Sequence, residues 1–108
     1  IVLYHHVHIM ASSSNITPLS FEWDDSNKIK NWNKHRVDYK ECEEIFSNRP
    51  LKTYLDIKHS QGENRFVALG ITNSHRTLYI VFTMRKDRIR IISARNMSRK
   101  ERNLYESK

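Results

Sequence analysis

Arginine side chains lie at the ends of apolar segments in the second half of the chain. Arg65 precedes "FVALGI", Arg85 follows "TLYIVFTM" and Arg95 follows "RIRIISA". A guanidinium group suits a phosphate, because its planar fork donates two hydrogen bonds at once and does not lose its proton. We therefore expect these three arginines to bind phosphate groups. Arg88 and Arg90 flank isoleucines in an edge-like segment, which favours simple surface charge for both.

Side chains that can transfer protons lie near these arginines in the sequence. His35 ends a helical segment, and His59 and Glu63 lie in the loop before Arg65. Metal-free cleavage of RNA needs a base for the ribose 2'-hydroxyl, cations for the phosphorane charge and an acid for the leaving 5'-oxygen. These residue types supply that set. Each also has a structural alternative: His35 can stabilise a helix C-terminus, His59 can be a turn residue, and Glu63 can pair with Arg65.

Motifs for metal or nucleotide chemistry are absent from the sequence. It contains no H-E-x-x-H, no paired cysteines, no P-loop and no G-x-G-x-x-G, and it has only two glycines in all. His5, His6 and His8 lack carboxylate or thiolate partners nearby and make a weak ligand set. We therefore predict no cofactor and no metal site.

Length and composition indicate one small domain. The chain has 108 residues, of which 38% are hydrophobic and 29% charged, and it lacks the roughly 18-residue apolar run that spans a bilayer. One cysteine, Cys42, cannot form an intramolecular disulfide, and its spacing among apolar residues predicts an inert core position. We expect a cytoplasmic protein without a membrane association.

Basic residues concentrate near the C-terminus. The net charge is +7, and residues 85–108 hold nine Lys and Arg against three Asp and Glu, which makes that segment alone +6. Such asymmetry indicates a polyanionic partner, either a nucleic acid or an acidic protein.

Residues 1–20 differ in composition from the remainder, since they carry no Asp, Glu, Lys or Arg. We predict that they form an extension, either non-native in origin or disordered, with Met10 as a candidate native start. Residues 21–108 are predicted to form the domain.

Hydrophobic periodicity predicts an α+β fold. "FEW" is typical of a short strand, and Asp24 caps a helix that runs to about Lys34. A second helix is predicted over residues 38–46. The period then changes from 3.6 to 2, which predicts four strands at residues 53–57, 65–71, 77–84 and 88–92. Short connections make them antiparallel neighbours. Ser98 and Glu101 form a capping box that predicts a C-terminal helix to about Glu106.

Strand parity places Arg65 and Arg85 at the ends of apolar rows, and antiparallel order allows both to lie at the same sheet edge. Arg95 follows the next strand, so it lies at the other edge or curls back with its loop. We expect these guanidinium groups to converge on one groove at the rim of the sheet.

The sequence resembles the BrnT toxins of bacterial type II toxin–antitoxin modules from about residue 21 to residue 106. The resemblance is carried by "FEWD", by "NKH" before a helix, by "HS" with "E-x-R", by "T-x-R", and by "RIISAR" followed by "ER" and a tyrosine. None of these blocks is specific alone, but their combination and order are.

The resemblance implies a RelE-like fold and a toxin that cleaves RNA and inhibits translation. It also implies neutralisation by a BrnA-type antitoxin, a ribbon-helix-helix DNA-binding protein, with operator DNA bound only through the antitoxin complex. Carried over by motif, the site positions are Lys34, His35, His59, Glu63, Arg65, Arg85 and Arg95.

Two alternatives stay open on the residues alone. The chain could be a non-catalytic basic module that binds nucleic acid or a partner, or an interaction subunit whose cations serve its partner. No motif specifies the RNA sequence, the role of the ribosome, the stoichiometry of a complex, or which residue is the base and which the acid.

Overall fold

The structure, a computed structural model, describes residues 2–4 and 20–107 and has the predicted α+β architecture. In chain order the elements are β1 (Val2–Tyr4), β2 (Ser20–Glu22), α1 (Asp25–His35), α2 (Tyr39–Ser47), β3 (Lys52–Leu55), a 3-10 helix (Ile57–His59), β4 (Phe66–Ile71), β5 (Thr77–Arg85), β6 (Arg88–Asn96) and α3 (Arg99–Glu106). In the described part of the chain, no helix has the length and apolar character needed to cross a membrane.

Helix starts follow the predicted capping residues. The Asp24 carboxylate accepts a hydrogen bond from the backbone N–H of Ser26 at 2.8 Å, which caps the first turn of α1. At α3, Glu101 N–H donates to Ser98 Oγ at 3.2 Å, and Ser98 N–H donates back to Glu101 Oε1 at 2.8 Å. The capping box predicted at the C-terminal helix is therefore confirmed.

Six strands form one sheet in the order β1-β3-β4-β5-β6-β2. The predicted antiparallel meander is confirmed for β3 to β6, whereas β2 joins the edge of the sheet in parallel with β6. The strand β1 pairs antiparallel with β3, so part of the predicted extension joins the sheet. Residues 5–19, with Met10 and the three histidines, lie outside the described residues, and the boundary of the extension stays a prediction.

A bulge lengthens β6 beyond its predicted end at residue 92. Val81 pairs with Ser93 while Phe82 pairs with Ile91, which leaves Ile92 as the extra residue. The bulge resets the alternation, so that Ile91 and Ala94 both lie in the core. The strand can then continue to Asn96, and it carries Arg95 with it.

Helices α1 and α2 cover one face of the sheet, which contains the larger core. Phe46 of α2 packs edge-on against Phe82 of β5, with ring centroids 5.2 Å apart. Gly70 allows the close approach, because a β-carbon there would lie 2.8 Å from Ile45 Cβ. Cys42 is fully buried in this core, and burial raises the pKa of its thiol to about 12, as expected for an inert cysteine.

Helix α3 covers only part of the opposite face. Tyr105 packs with Tyr54, Val67 and Leu69, and its hydroxyl donates to the Pro50 carbonyl at 2.7 Å. These contacts lie toward the start of β5 and the end of β6. These contacts leave the area where β5 ends and β6 begins uncovered by α3. That open area contains the candidate site.

Candidate functional site

A row of polar side chains crosses the open sheet face. Arg65 precedes Phe66, which pairs with Phe82, so Arg65 lies opposite Thr83. Thr83 pairs with Arg90, and Arg90 pairs with Glu22. Because side chains alternate between faces and Phe82 lies in the helix-covered core, this whole row lies on the opposite, open face.

Arg85 and Arg88 form the next row on that face. They pair directly across β5 and β6, and like charges at such positions destabilise a sheet. We call the area formed by Arg65, Arg85, Arg88 and Arg90 the arginine face. A diagonal cross-strand spacing of about 7 to 8 Å separates the Cα atoms of Arg65 and Arg85. The pairing therefore concentrates positive charge on this part of the sheet face.

Carboxylates hold Arg85 loosely. Its Nε donates to Glu63 Oε2 at 3.2 Å, and its Nη1 lies 3.8 Å from Glu22 Oε1. The side chains of Arg85 and Glu63 are 45% and 44% exposed, and exposed ion pairs contribute about 0 to 1 kcal/mol. A phosphate can therefore displace either carboxylate at little cost. The structural alternative for Glu63, a pair with Arg65, is not formed; Glu63 pairs with Arg85 instead.

The other three guanidinium groups of the arginine face also lack a strong carboxylate partner among the described residues. Arg65 is exposed, and its side chain makes no hydrogen bond or ion pair with the described residues. Arg90 Nη2 lies 3.7 Å from Asp24 Oδ2, a distance typical of a weak pair. Arg88 donates to the Phe21 carbonyl at 2.6 Å, which directs it toward the β2 edge without neutralising its charge.

A histidine held by an aspartate lies beside this face. His59 Nδ1 is 2.8 Å from Asp56 Oδ2, and the His59 side chain is 63% exposed. Asp56 N–H donates to the Arg65 carbonyl at 2.8 Å, and Arg65 N–H donates to Ser60 Oγ at 3.0 Å. These two bonds attach the segment that contains His59 to the backbone of Arg65. A carboxylate on Nδ1 fixes the tautomer and leaves Nε2 for proton transfer.

Sequence reasoning missed Asp56. The signal that could have found it is the spacing "D-x-x-H", which places the two side chains one turn apart in the 3-10 helix that ends at His59. Asp56 lay inside a predicted strand instead, which concealed that relation.

Arg95 lies at the far end of the same sheet face. It pairs with Tyr79, six residues before Arg85 on β5, which is about 20 Å away along the strand. Two hydrogen bonds of 2.8 Å each join its guanidinium to the Glu101 carboxylate, and the group stacks 4.0 Å from the Tyr79 ring centroid. Arg65 and Arg85 therefore occupy neighbouring positions on this face, whereas Arg95 lies at its far end.

Hydrogen bonding between Arg95 and Glu101 changes the acidity of both groups. The bond raises the pKa of Arg95 and lowers the pKa of the Glu101 carboxyl. Because Glu101 also accepts from Ser98 N–H at the start of α3, the pair attaches that helix to the sheet.

Lys34 and His35 lie on the other side of the sheet. They end α1, which packs over β6, where Ala94 N–H donates to Asn31 Oδ1 at 3.3 Å. The His35 carbonyl accepts from Arg76 at 2.9 Å, next to the start of β5. The structure therefore does not bring Lys34 or His35 to His59 and Arg85.

Metal ligands do not gather in the described ranges, where no three His, Cys, Asp or Glu side chains form a group that could hold an ion. The carboxylates of the open face lie beside arginines and a histidine instead.

Comparison with known proteins identifies the class. The profile of the family described as "Ribonuclease toxin, BrnT, of type II toxin-antitoxin system" matches residues 23–101. The crystal structure of the Brucella abortus ribonuclease toxin BrnT superposes with a TM-score of 0.55 over 76% of this chain and 100% of that chain, at 20% sequence identity. No curated protein sequence matches the chain. The class is therefore that of ribonuclease toxins from type II toxin–antitoxin systems.

Within that class, the chain belongs to the BrnT family. This confirms the family to which the sequence motifs point, and it makes the protein a ribonuclease toxin with an RNA target and an antitoxin partner.

Proposed function

We propose that this toxin is a metal-independent endoribonuclease that cleaves RNA on the arginine face. In this proposal Arg65, Arg85, Arg88 and Arg90 bind the phosphates around the cleaved bond. The observation that carries it is that four arginines share the part of the sheet face that α3 leaves open, beside a histidine bonded to Asp56.

The reaction uses the 2'-hydroxyl of the RNA as its nucleophile. A base removes the 2'-hydroxyl proton, the oxygen attacks phosphorus, and the bond from phosphorus to the 5'-oxygen breaks. An acid donates a proton to that 5'-oxygen, which leaves a 2',3'-cyclic phosphate on one fragment and a 5'-hydroxyl on the other. His59 and Glu63 are the proton-transfer groups of the site.

Guanidinium groups supply the charge that a metal ion supplies in other nucleases. Negative charge grows on the non-bridging oxygens as the phosphorane forms, and a fixed donor at such a position contributes about 3 to 4 kcal/mol. Arg65 and Arg85 lie closest to His59 and Glu63 in the sheet and take this role.

Substrate binding couples Arg85 to Glu63. In the free protein the Glu63 carboxylate accepts from Arg85. A phosphate that takes over Arg85 releases this carboxylate next to the reacting ribose. Glu63 thus changes from an ion-pair partner into a group that can accept a proton.

Arg95, Lys34 and His35 receive a different role. Arg95 stabilises the docking of α3 through Glu101. Lys34 and His35 lie at the C-terminal end of α1, where cations interact favourably with the helix dipole.

The cellular role is part of the proposal, and membership of a toxin family supports it. RNA cleavage in the cytoplasm inhibits translation, and a BrnA-type antitoxin of the ribbon-helix-helix class neutralises the toxin. Operator DNA is bound only through that complex. The net charge of +7 supports an acidic segment in the antitoxin that masks the cations.

Incubation of the purified protein with single-stranded RNA in excess EDTA tests the activity. We expect fragments with 2',3'-cyclic phosphate ends. In the variant His59→Ala we expect the cleavage rate to fall about 100-fold. The matched control is Lys58→Ala, at the exposed neighbouring position, which should keep its activity. The comparison of the two variants also controls for contaminating nucleases.

Three results would contradict the proposal. Cleavage that EDTA abolishes would rule out metal independence. RNA that binds with a steep salt dependence but stays intact would indicate a binding module only. Equal cleavage by the wild type and by His59→Ala would remove the histidine from the site.

A further inference from the structure

A buried hydroxyl group without a partner lies at the centre of the arginine face. Thr83 has no exposed surface, and its Oγ1 makes no hydrogen bond. In the described part of the chain one other buried side-chain polar atom lacks a partner, Asn31 Nδ2 between α1 and β6. Asn31 has a structural function, because its Oδ1 accepts from Ala94 N–H. The Thr83 hydroxyl makes no such contact with the described residues.

The surroundings of Thr83 are cationic. It lies opposite Arg65 on β4, pairs with Arg90 on β6, and precedes Arg85 by two residues on the same face. Arg85 is held between Glu63, which precedes β4, and Glu22 on β2, so its two carboxylate partners lie on opposite sides of β5. Thr83 therefore lies between the arginine on β4 and the arginine on β6.

A valine would suit this position better if only the fold mattered. Valine has nearly the same shape as threonine, prefers strands at least as strongly, and buries no polar atom. Burial of an unpaired hydroxyl costs free energy, and such groups in native structures call for an explanation. A ligand that pairs with the hydroxyl supplies one.

We propose that Thr83 Oγ1 donates a hydrogen bond to a non-bridging phosphate oxygen of the RNA bound on the arginine face. Phosphate oxygens accept and do not donate, so the hydroxyl takes the donor role that it cannot use in the free protein. Arg85 and Arg90 move from their carboxylates onto the phosphate, and this rearrangement gives a phosphate oxygen access to the hydroxyl. The inference rests on the proposed function, and it adds Thr83 to the residues that bind the phosphate.

The variant Thr83→Val separates this role from folding, because its effects on the two have opposite signs. We expect kcat/KM for RNA cleavage to fall about tenfold, as for the loss of one hydrogen bond to a charged group. The midpoint of thermal unfolding should rise by about 5 °C, since the unpaired hydroxyl is gone. The salt dependence of RNA binding should stay unchanged, because no charge is lost.

Two further variants complete the experiment. Thr83→Ser keeps the hydroxyl and should retain activity within about threefold. Thr53→Val removes a hydroxyl at a buried strand position that pairs with Ala68, on the helix-covered face, and should leave cleavage unchanged. An RNA with a 2'-O-methyl group at the cleaved ribose reports binding without cleavage.

Wild-type activity in Thr83→Val would overturn the inference and leave the proposed function intact. Equal losses in Thr83→Val and Thr83→Ser would also overturn it, because they would trace the effect to packing. Absence of cleavage by the wild type would instead contradict the proposed function itself.

Discussion

Arg85 and Arg95 lie on the same face of the sheet, yet their guanidinium groups are held in different ways. Arg95 makes two hydrogen bonds of 2.8 Å to one carboxylate and stacks on Tyr79. Arg85 makes one contact of 3.2 Å and one of 3.8 Å to two separate carboxylates. The first arrangement occupies both terminal nitrogens of the guanidinium with one carboxylate, and the second has, among the described residues, only one hydrogen bond, from Nε.

The difference separates an arginine that stabilises the fold from one that can bind a ligand. A bidentate carboxylate occupies the same donors that a phosphate requires. An exposed and divided pairing restrains the side chain but offers little resistance to a competing anion. Net charge and strand position do not distinguish the two residues, whereas the geometry of their pairs does.

Arg85→Ala should have the largest effect. We expect kcat/KM for RNA cleavage to fall by 100-fold or more, as for the removal of one electrostatic donor at a reacting oxygen. Stability should change by less than about 0.5 kcal/mol, because the lost ion pairs are exposed. Cleavage assays and urea unfolding measure the two effects. In the matched variant Arg95→Ala the pattern should reverse, with lost stability and near-normal activity of the folded protein; the same activity loss in both variants would erase the distinction.

Asp56→Asn should have the next largest effect. We expect about a tenfold loss of kcat/KM with little change in stability, because the Asp56 carboxylate orients the His59 ring through its contact with Nδ1. The double variant with His59→Ala should be no worse than His59→Ala alone. If the two losses multiply instead, Asp56 acts independently of the histidine.

Glu101→Gln tests the stabilising pair at the Arg95 end of the sheet face. The pKa of Glu101 is lowered in the folded protein by the bond from Arg95, so its contribution to stability is present above the unfolded value of 4.5 and lost as pH falls below it. We expect the variant to be about 1 kcal/mol less stable at pH 7 and to lose less further stability below about pH 4.5. Urea unfolding across pH measures this, with Glu106→Gln on the same helix as the control. Identical pH profiles for wild type and variant would contradict it.

Lys34→Ala and His35→Ala should have the smallest effects. Both residues lie at the end of α1, on the helix-covered side of the sheet, and we expect cleavage rates within about twofold of the wild type. A tenfold loss in either variant would extend the site to the other side of the sheet, as the motif resemblance implies.

The faces of the strands could be predicted from the sequence because side-chain direction follows a local period of two. That period placed Arg65 and Arg85 at the ends of apolar rows, and the antiparallel order that short turns impose allowed both to lie at one edge, where the structure has them. The capping residues Asp24, Ser98 and Glu101 were equally local, since each contact spans two or three residues.

What escaped prediction depends on contacts between distant parts of the chain or on irregular geometry. The strand was predicted to end at residue 92, with Arg95 in the loop that follows. In the structure the bulge at Ile92 resets the alternation and β6 includes Arg95, but two adjacent isoleucines give no sign in the sequence of where that reset occurs. The pairing of Arg95 with Glu101 spans only six residues, but it depends on the irregular connection that turns the chain back from β6 into α3. The position of α3 decides which end of the face stays open. No residue pattern near Arg85 predicts that position.

The central claim is that RNA binds at the Arg85 end of the sheet face and not at the Arg95 end. NMR spectra of the arginine Nε–H groups, recorded as a 2'-O-methyl RNA is added, test it directly at both ends at once. We predict that the Arg65 and Arg85 signals shift with the RNA concentration while the Arg95 signal stays in place. A shift at Arg95 without one at Arg85 would contradict the account.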